Sequence, residues 1–116
     1  VTKQIAATII LNQNGGAKKF LMRLTEEPLH FVVSDVKDGL TGLASILETL
    51  KALAIPVDQL NLVELTNVQM EQQQLPFFVF SLENEIPLAD TDFAWRPAEE
   101  FRRALIGLTL EGAPLF

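Results

Sequence analysis

Glu48 and Lys51 are the residues whose types and spacing first suggest chemistry in this chain. Three positions apart, they share one face of any helix that holds them, where a carboxylate can take either an ammonium or a metal ion. The plainer reading is a solvated ion pair, which contributes about a few tenths of a kcal/mol. His30, the one histidine, sits in an apolar stretch, and no serine lies in a nucleophile elbow, so a packed or edge imidazole is expected. Gly15-Gly16 reads as a hairpin turn and not a phosphate loop, because no helix start follows it. Glu83, Glu85, Asp90 and Asp92 would attract cations, but their spacing fits no calcium loop, and a solvated loop is expected. Phe77, Phe78, Phe80 and Trp95 offer flat apolar faces on which a base could stack. Strand aromatics are more often core; Phe78 and Trp95 are the candidate ligand contacts.

Composition narrows these options. The 116 residues include no Cys, which removes thiolate catalysis, Cys-ligated zinc, iron–sulfur clusters and disulfides. Nine Lys+Arg against fifteen Asp+Glu give a net charge of −6, which argues against nucleic acid and an anionic membrane as partners. No run of eighteen apolar residues marks a transmembrane helix, and the start, Val1 to Gln4, lacks the layout of a signal peptide. A cytoplasmic location is therefore expected. The length suits one domain, residues 1–116, with no linker or internal repeat to divide it.

The elements that must position these residues follow from periodicity. Residues 3–11 and 19–24 read as strands joined by an Asn- and Gly-rich turn, and 29–33 as a third strand after Thr25–Pro28. Leu40, Leu43, Leu47, Leu50 and Ala54, widened by Ile46 and Leu53, make the stripe of an amphipathic helix over 40–54. Asp38 or Thr41 would cap it, and Pro56 ends it. Residues 60–69 alternate as a strand, 71–74 read as a loop, and 77–82, FFVFSL, as a central strand. Trp95-Arg96-Pro97 leads into a second helix with Pro97 in its first turn and Ala98, Phe101, Leu105 and Leu108 as its apolar stripe. The order β-β-β-α-β-β-α predicts an α/β (α+β) fold, a mixed sheet with two main helices packed on it.

Three segments make this order resemble a Nudix (MutT-like) domain. ATIILNQNGGAKKFLMRL is similar to that superfamily's first hairpin, LASILETLKALAI (43–55) lies where its Nudix helix falls, and DFAWRPAEEFRRAL (92–105) is similar to its closing aromatic-loop-helix element. The resemblance implies an α/β/α sandwich. The family's motif, G-x5-E-x7-R-E-U-x-E-E-x-G-U with U aliphatic, departs sharply here. With the last aliphatic position on Ile55, Glu48 matches the acid after the Arg, Leu47 replaces that Arg, and Lys51 and Ala52 replace the paired glutamates. Ala54 replaces the glycine, and Gly39 falls at the first Glu.

Nudix enzymes cleave a nucleoside diphosphate linked to another group and hold Mg²⁺ or Mn²⁺ against the pyrophosphate. Carboxylates at i, i+3 and i+4 form the oxygen cluster that such a hard ion needs. Here Glu48 is the only catalytic candidate retained from the motif, Lys51 repels a cation and Ala52 offers no ligand atom. The resemblance with these departures implies a degenerate member: a module for a nucleotide-like small molecule or a protein partner, with no cofactor. The alternative is a divergent hydrolase that relocates its Mg²⁺ ligands to Asp35, Asp38 and Glu48, with Glu64 or Glu71 in support. A third expectation is a structural role as a homodimer.

Overall fold

Alternation along the strands divides the apolar residues between two faces of a single mixed sheet. The computed structural model describes residues 4–12, 16, 18–23, 32–70, 73–88, 92–104 and 109–110. The expectations for Gly15, His30, Glu71, Asp90, Leu105 and Leu108 lie outside the described residues. Strand β1 (Gln4–Asn12) runs parallel to β5 (Gln73–Leu82). On its other edge it is antiparallel to β3 (Val32–Asp35) over its first half and to β2 (Lys18–Arg23) over its second. Beyond β5 come β4 (Asn61–Met70) and then β7 (Thr109–Leu110), and beyond β2 lies β6 (Phe93–Pro97). Between the β3-paired and β2-paired parts of β1, the buried Thr8 hydroxyl donates to the Leu21 carbonyl at 3.1 Å. That bond satisfies a polar group that the change of partner strand would otherwise strand in the core.

Ile5, Ala7, Ile9 and Leu11 of β1 join Phe78, Phe80 and Leu82 of β5 on one face, covered by Ile46 and Leu50 of helix α1 (Gly42–Ala52). Ala6, Ile10, Phe20, Phe77 and Val79 line the other, covered by Phe101 of helix α2 (Ala98–Ala104). The Phe20 and Phe101 rings stack with centroids 4.3 Å apart, which fixes α2 on β2. The result is the α/β/α sandwich expected from the sequence.

Several expectations need correction. Trp95-Arg96-Pro97 leads directly into the second helix, as expected, but as the end of a strand, Phe93–Pro97, paired with β2. Pro97 ends that strand, and the helix starts at Ala98. A proline is tolerated there because β6 is an edge strand, where a missing N–H need not break a ladder. Gln73 and Gln74, expected in a loop, lie in the β4–β5 ladder opposite Met70 and Gln69. The third strand, expected over 29–33, is described at Val32–Asp35, paired with β1 and running two residues further than expected, while 29–31 lie outside the described residues. The inner face of α1 is also rotated from the expected stripe: Ser45, Ile46 and Leu50 are buried while Leu43 is exposed. No helix among the described residues is long and apolar enough to cross a membrane.

Candidate functional site

Helix α1 and the loop before it hold the motif-related residues. Thr41, rather than Asp38, caps the helix, its hydroxyl accepting from the Ala44 N–H at 3.1 Å. The helix start sits directly on the sheet: a methyl group at Gly42 would lie 3.5 Å from Ile5 and 3.8 Å from the Phe78 ring. Ser45 and Thr49 turn inward because they bind the preceding strand and loop. The Ser34 and Thr49 hydroxyls are 2.7 Å apart, and Ser45 Oγ accepts from the Lys37 N–H at 3.0 Å.

The C-terminus of α1 is closed by backbone alone. The Ile55 N–H donates to the Leu50 carbonyl at 3.1 Å and the Ala54 N–H to the Lys51 carbonyl at 3.0 Å. This is a Schellman closure, with Leu50 and Ile55 both in the core beneath it. It needs a left-handed residue at position 54, and Ala54 has φ +63°. The Nudix motif aligned above places its glycine at that position. Glycine adopts that conformation most easily, and here an alanine holds it.

The outer face of α1 presents Glu48, Lys51 and Ala52 to solvent. Glu48 pairs with Lys37, Oε2 to Nζ at 2.9 Å, and not with Lys51 as its spacing suggests. Lys37 is brought there by the loop: its N–H is held by Ser45, its carbonyl accepts from the Leu40 N–H at 3.1 Å, and Gly39 turns the chain at φ +81°. Eleven residues apart, the two side chains could not touch along a single helix, so sequence periodicity carries no sign of this pair.

The other proposed metal ligands are scattered. Asp35 accepts from the Gln4 amide at 3.4 Å on the β1–β3 ladder, and Asp38 is exposed in the turn. Glu64 lies across from Val79, whose side chain belongs to the α2 face, so Glu64 is on the far side of the sheet from α1. Among the described residues, no three His, Asp or Glu side chains gather in a way that could hold a metal ion.

The aromatic candidates share the α1 face. Phe78 is almost wholly buried and stacks on Phe80 with centroids 6.3 Å apart, so it forms core beneath the helix start. Trp95 is half-buried at the margin of the same cluster. Its indole N–H donates to the Ile86 carbonyl at 3.1 Å, tying the 83–88 segment to β6. Glu83 and Glu85 in that segment face Asn12 (3.5 Å) and Lys19 (3.8 Å).

This arrangement of sheet and helices defines a class. The fold matches the C. elegans Ap4A hydrolase with a TM-score of 0.68 and 20% identity, over 90% of this chain and 86% of that one. It matches RenU, a Nudix hydrolase of M. smegmatis, with a TM-score of 0.64 and 13% identity, over 87% and 74%. A protein of Listeria monocytogenes assigned to the Nudix hydrolases matches with a TM-score of 0.58 and 12% identity, over 88% and 82%. The chain has a Nudix-like fold. No protein-family model and no curated protein sequence matches it.

Proposed function

We propose that this chain is a Nudix-fold binding module that takes a nucleotide-like small molecule without cleaving a pyrophosphate bond. The reading rests on the outer face of α1. There the single motif carboxylate, Glu48, is already engaged by the Lys37 ammonium at 2.9 Å, and Lys51 and Ala52 stand where the motif has acids. A divalent ion arriving at Glu48 must displace one ammonium, approach another and keep most of its water, because one carboxylate does not replace a hydration shell. Without the ion, the charge that develops on a cleaved pyrophosphate has no counterpart here. A fold of this kind does not itself certify a reaction, since the site decides.

Binding does not need that metal. The half-buried indole of Trp95 offers a stacking face at the margin of the α1-side core. Trp95 is the only tryptophan and the chain has no tyrosine, so intrinsic fluorescence reports on it alone. Titration with nucleoside mono- and diphosphates should quench this emission saturably, and Trp95→Phe should weaken ligand binding followed by calorimetry. Mg²⁺-dependent release of phosphate or nucleoside monophosphate from a panel of nucleoside diphosphate derivatives should be absent. Turnover that Glu48→Gln abolishes would overturn the non-hydrolytic half of the reading. Silence of the fluorescence toward every nucleotide would overturn the ligand half.

A further inference from the structure

The segment after β5, residues 83–88, meets three strands in their order in the sheet. Glu83 accepts from the Asn12 amide of β1 at 3.5 Å, Glu85 faces the Lys19 ammonium of β2 at 3.8 Å, and the Ile86 carbonyl accepts from the Trp95 indole of β6 at 3.1 Å. Residues directly opposite each other in a ladder share a face of the sheet. Lys19 lies opposite Leu11 and Trp95 opposite Leu21, and both leucines belong to the α1-side core. Lys19 and Trp95 therefore stand on that same face. Pro97 is the register partner of Lys19, so Trp95 is its diagonal neighbour, about 7–8 Å away. Two consecutive residues, Glu85 and Ile86, thus join an ammonium to an indole that are neighbours on the sheet.

A nucleotide joins a flat ring system to an anion, and an indole face with an ammonium beside it matches both parts. In the chain alone, the anion at Lys19 is the Glu85 carboxylate. The contact is loose: 3.8 Å is longer than a hydrogen bond, and the side chains are 38% and 55% exposed. A pair of this kind contributes little to stability and exchanges with a competing anion. A phosphate group brings more charge and more acceptor oxygens than a carboxylate. We propose that Lys19 recognises the phosphate of a nucleotide stacked on Trp95, and that Glu85 is the internal competitor this phosphate displaces. This assignment rests on the nucleotide-binding reading above and gives it the group that holds the anion. The counter-charge is then an ammonium of the chain itself, so binding needs no divalent ion.

Calorimetry on the full chain with ADP, GDP, CDP and UDP, each set against its free nucleoside, tests this. Lys19→Gln should weaken every diphosphate that binds by about tenfold and leave the nucleosides unchanged, while Lys19→Arg should keep most of the affinity. Glu85→Gln should tighten the same diphosphates about threefold, and that gain should vanish in the Lys19→Gln background. Diphosphates bound equally by wild type and Lys19→Gln, a gain from Glu85→Gln that persists without Lys19, or equal weakening of diphosphate and nucleoside would each overturn the assignment while leaving the nucleotide reading in place. Binding of no diphosphate by either the wild type or Glu85→Gln would overturn that reading as well.

Discussion

Lys37 decides what Glu48 can do, and it does so from a loop. Both side chains of the pair are 54% exposed, so the contact adds at most about 1 kcal/mol to stability and is screened by salt. Lys37→Ala should therefore change the unfolding free energy by less than about 1 kcal/mol in a urea titration. Its consequence is chemical: the carboxylate is released to bulk solvent. Ala54 makes a second residue-scale prediction. Left-handed backbone costs an alanine about 1–2 kcal/mol, and glycine adds about 0.4–1 kcal/mol of freedom to the unfolded chain. Ala54→Gly should therefore stabilise the fold by about 0.5–1 kcal/mol, raising the melting temperature by a few degrees in calorimetry. Of these two features, the turn at Ala54 was not legible, because periodicity counted that residue into the helical stripe, whereas α1 ends at Ala52 and Ala54 is left-handed. Nor was the Lys37 contact, because it joins two elements by a loop whose path is set by hydrogen bonds to Ser45.

At the scale of elements, α1 and α2 are anchored differently. The start of α1 depends on the Thr41 cap, so Thr41→Ala should cost about 1 kcal/mol, measurable as a lower denaturation midpoint at unchanged slope. Helix α2 is short, and its buried Phe101 stacks on Phe20. Phe101→Ala should cost about 3–5 kcal/mol and raise hydrogen exchange in α2 before it does so in β1 and β5. The elements legible in sequence were those with one dominant pattern, such as the β-branched run of β1 and FFVFSL of β5. Strand β6 was obscured because Trp95-Arg96-Pro97 carries a helix-start cue. Its strand identity comes from pairing with β2, a long-range contact that local pattern does not encode. The α1 stripe was misplaced for a related reason. Ser45 and Thr49 read as polar surface, but partners in Ser34 and the Lys37 backbone let them face inward.

At the scale of the molecule, two helices on opposite faces of a mixed sheet give the Nudix-like sandwich, and the same framework fits proteins under 25% identical. The framework holds helix α1, its Schellman closure and the left-handed residue at position 54. The proposed absence of hydrolysis rests on the charge along one face of that helix, where Glu48 stands with Lys51 and Ala52. The most direct test is Mn²⁺ binding, followed by electron paramagnetic resonance on the intact chain with a non-hydrolysable nucleoside diphosphate derivative present. Relative to the same Mn²⁺ and nucleotide mixture without protein, the wild-type chain should leave the free-ion signal unchanged at micromolar protein, while Lys37→Ala, Lys51→Glu and Ala52→Glu combined should lower it by binding the ion. One Mn²⁺ held per wild-type chain, and released by Glu48→Gln, would contradict the account.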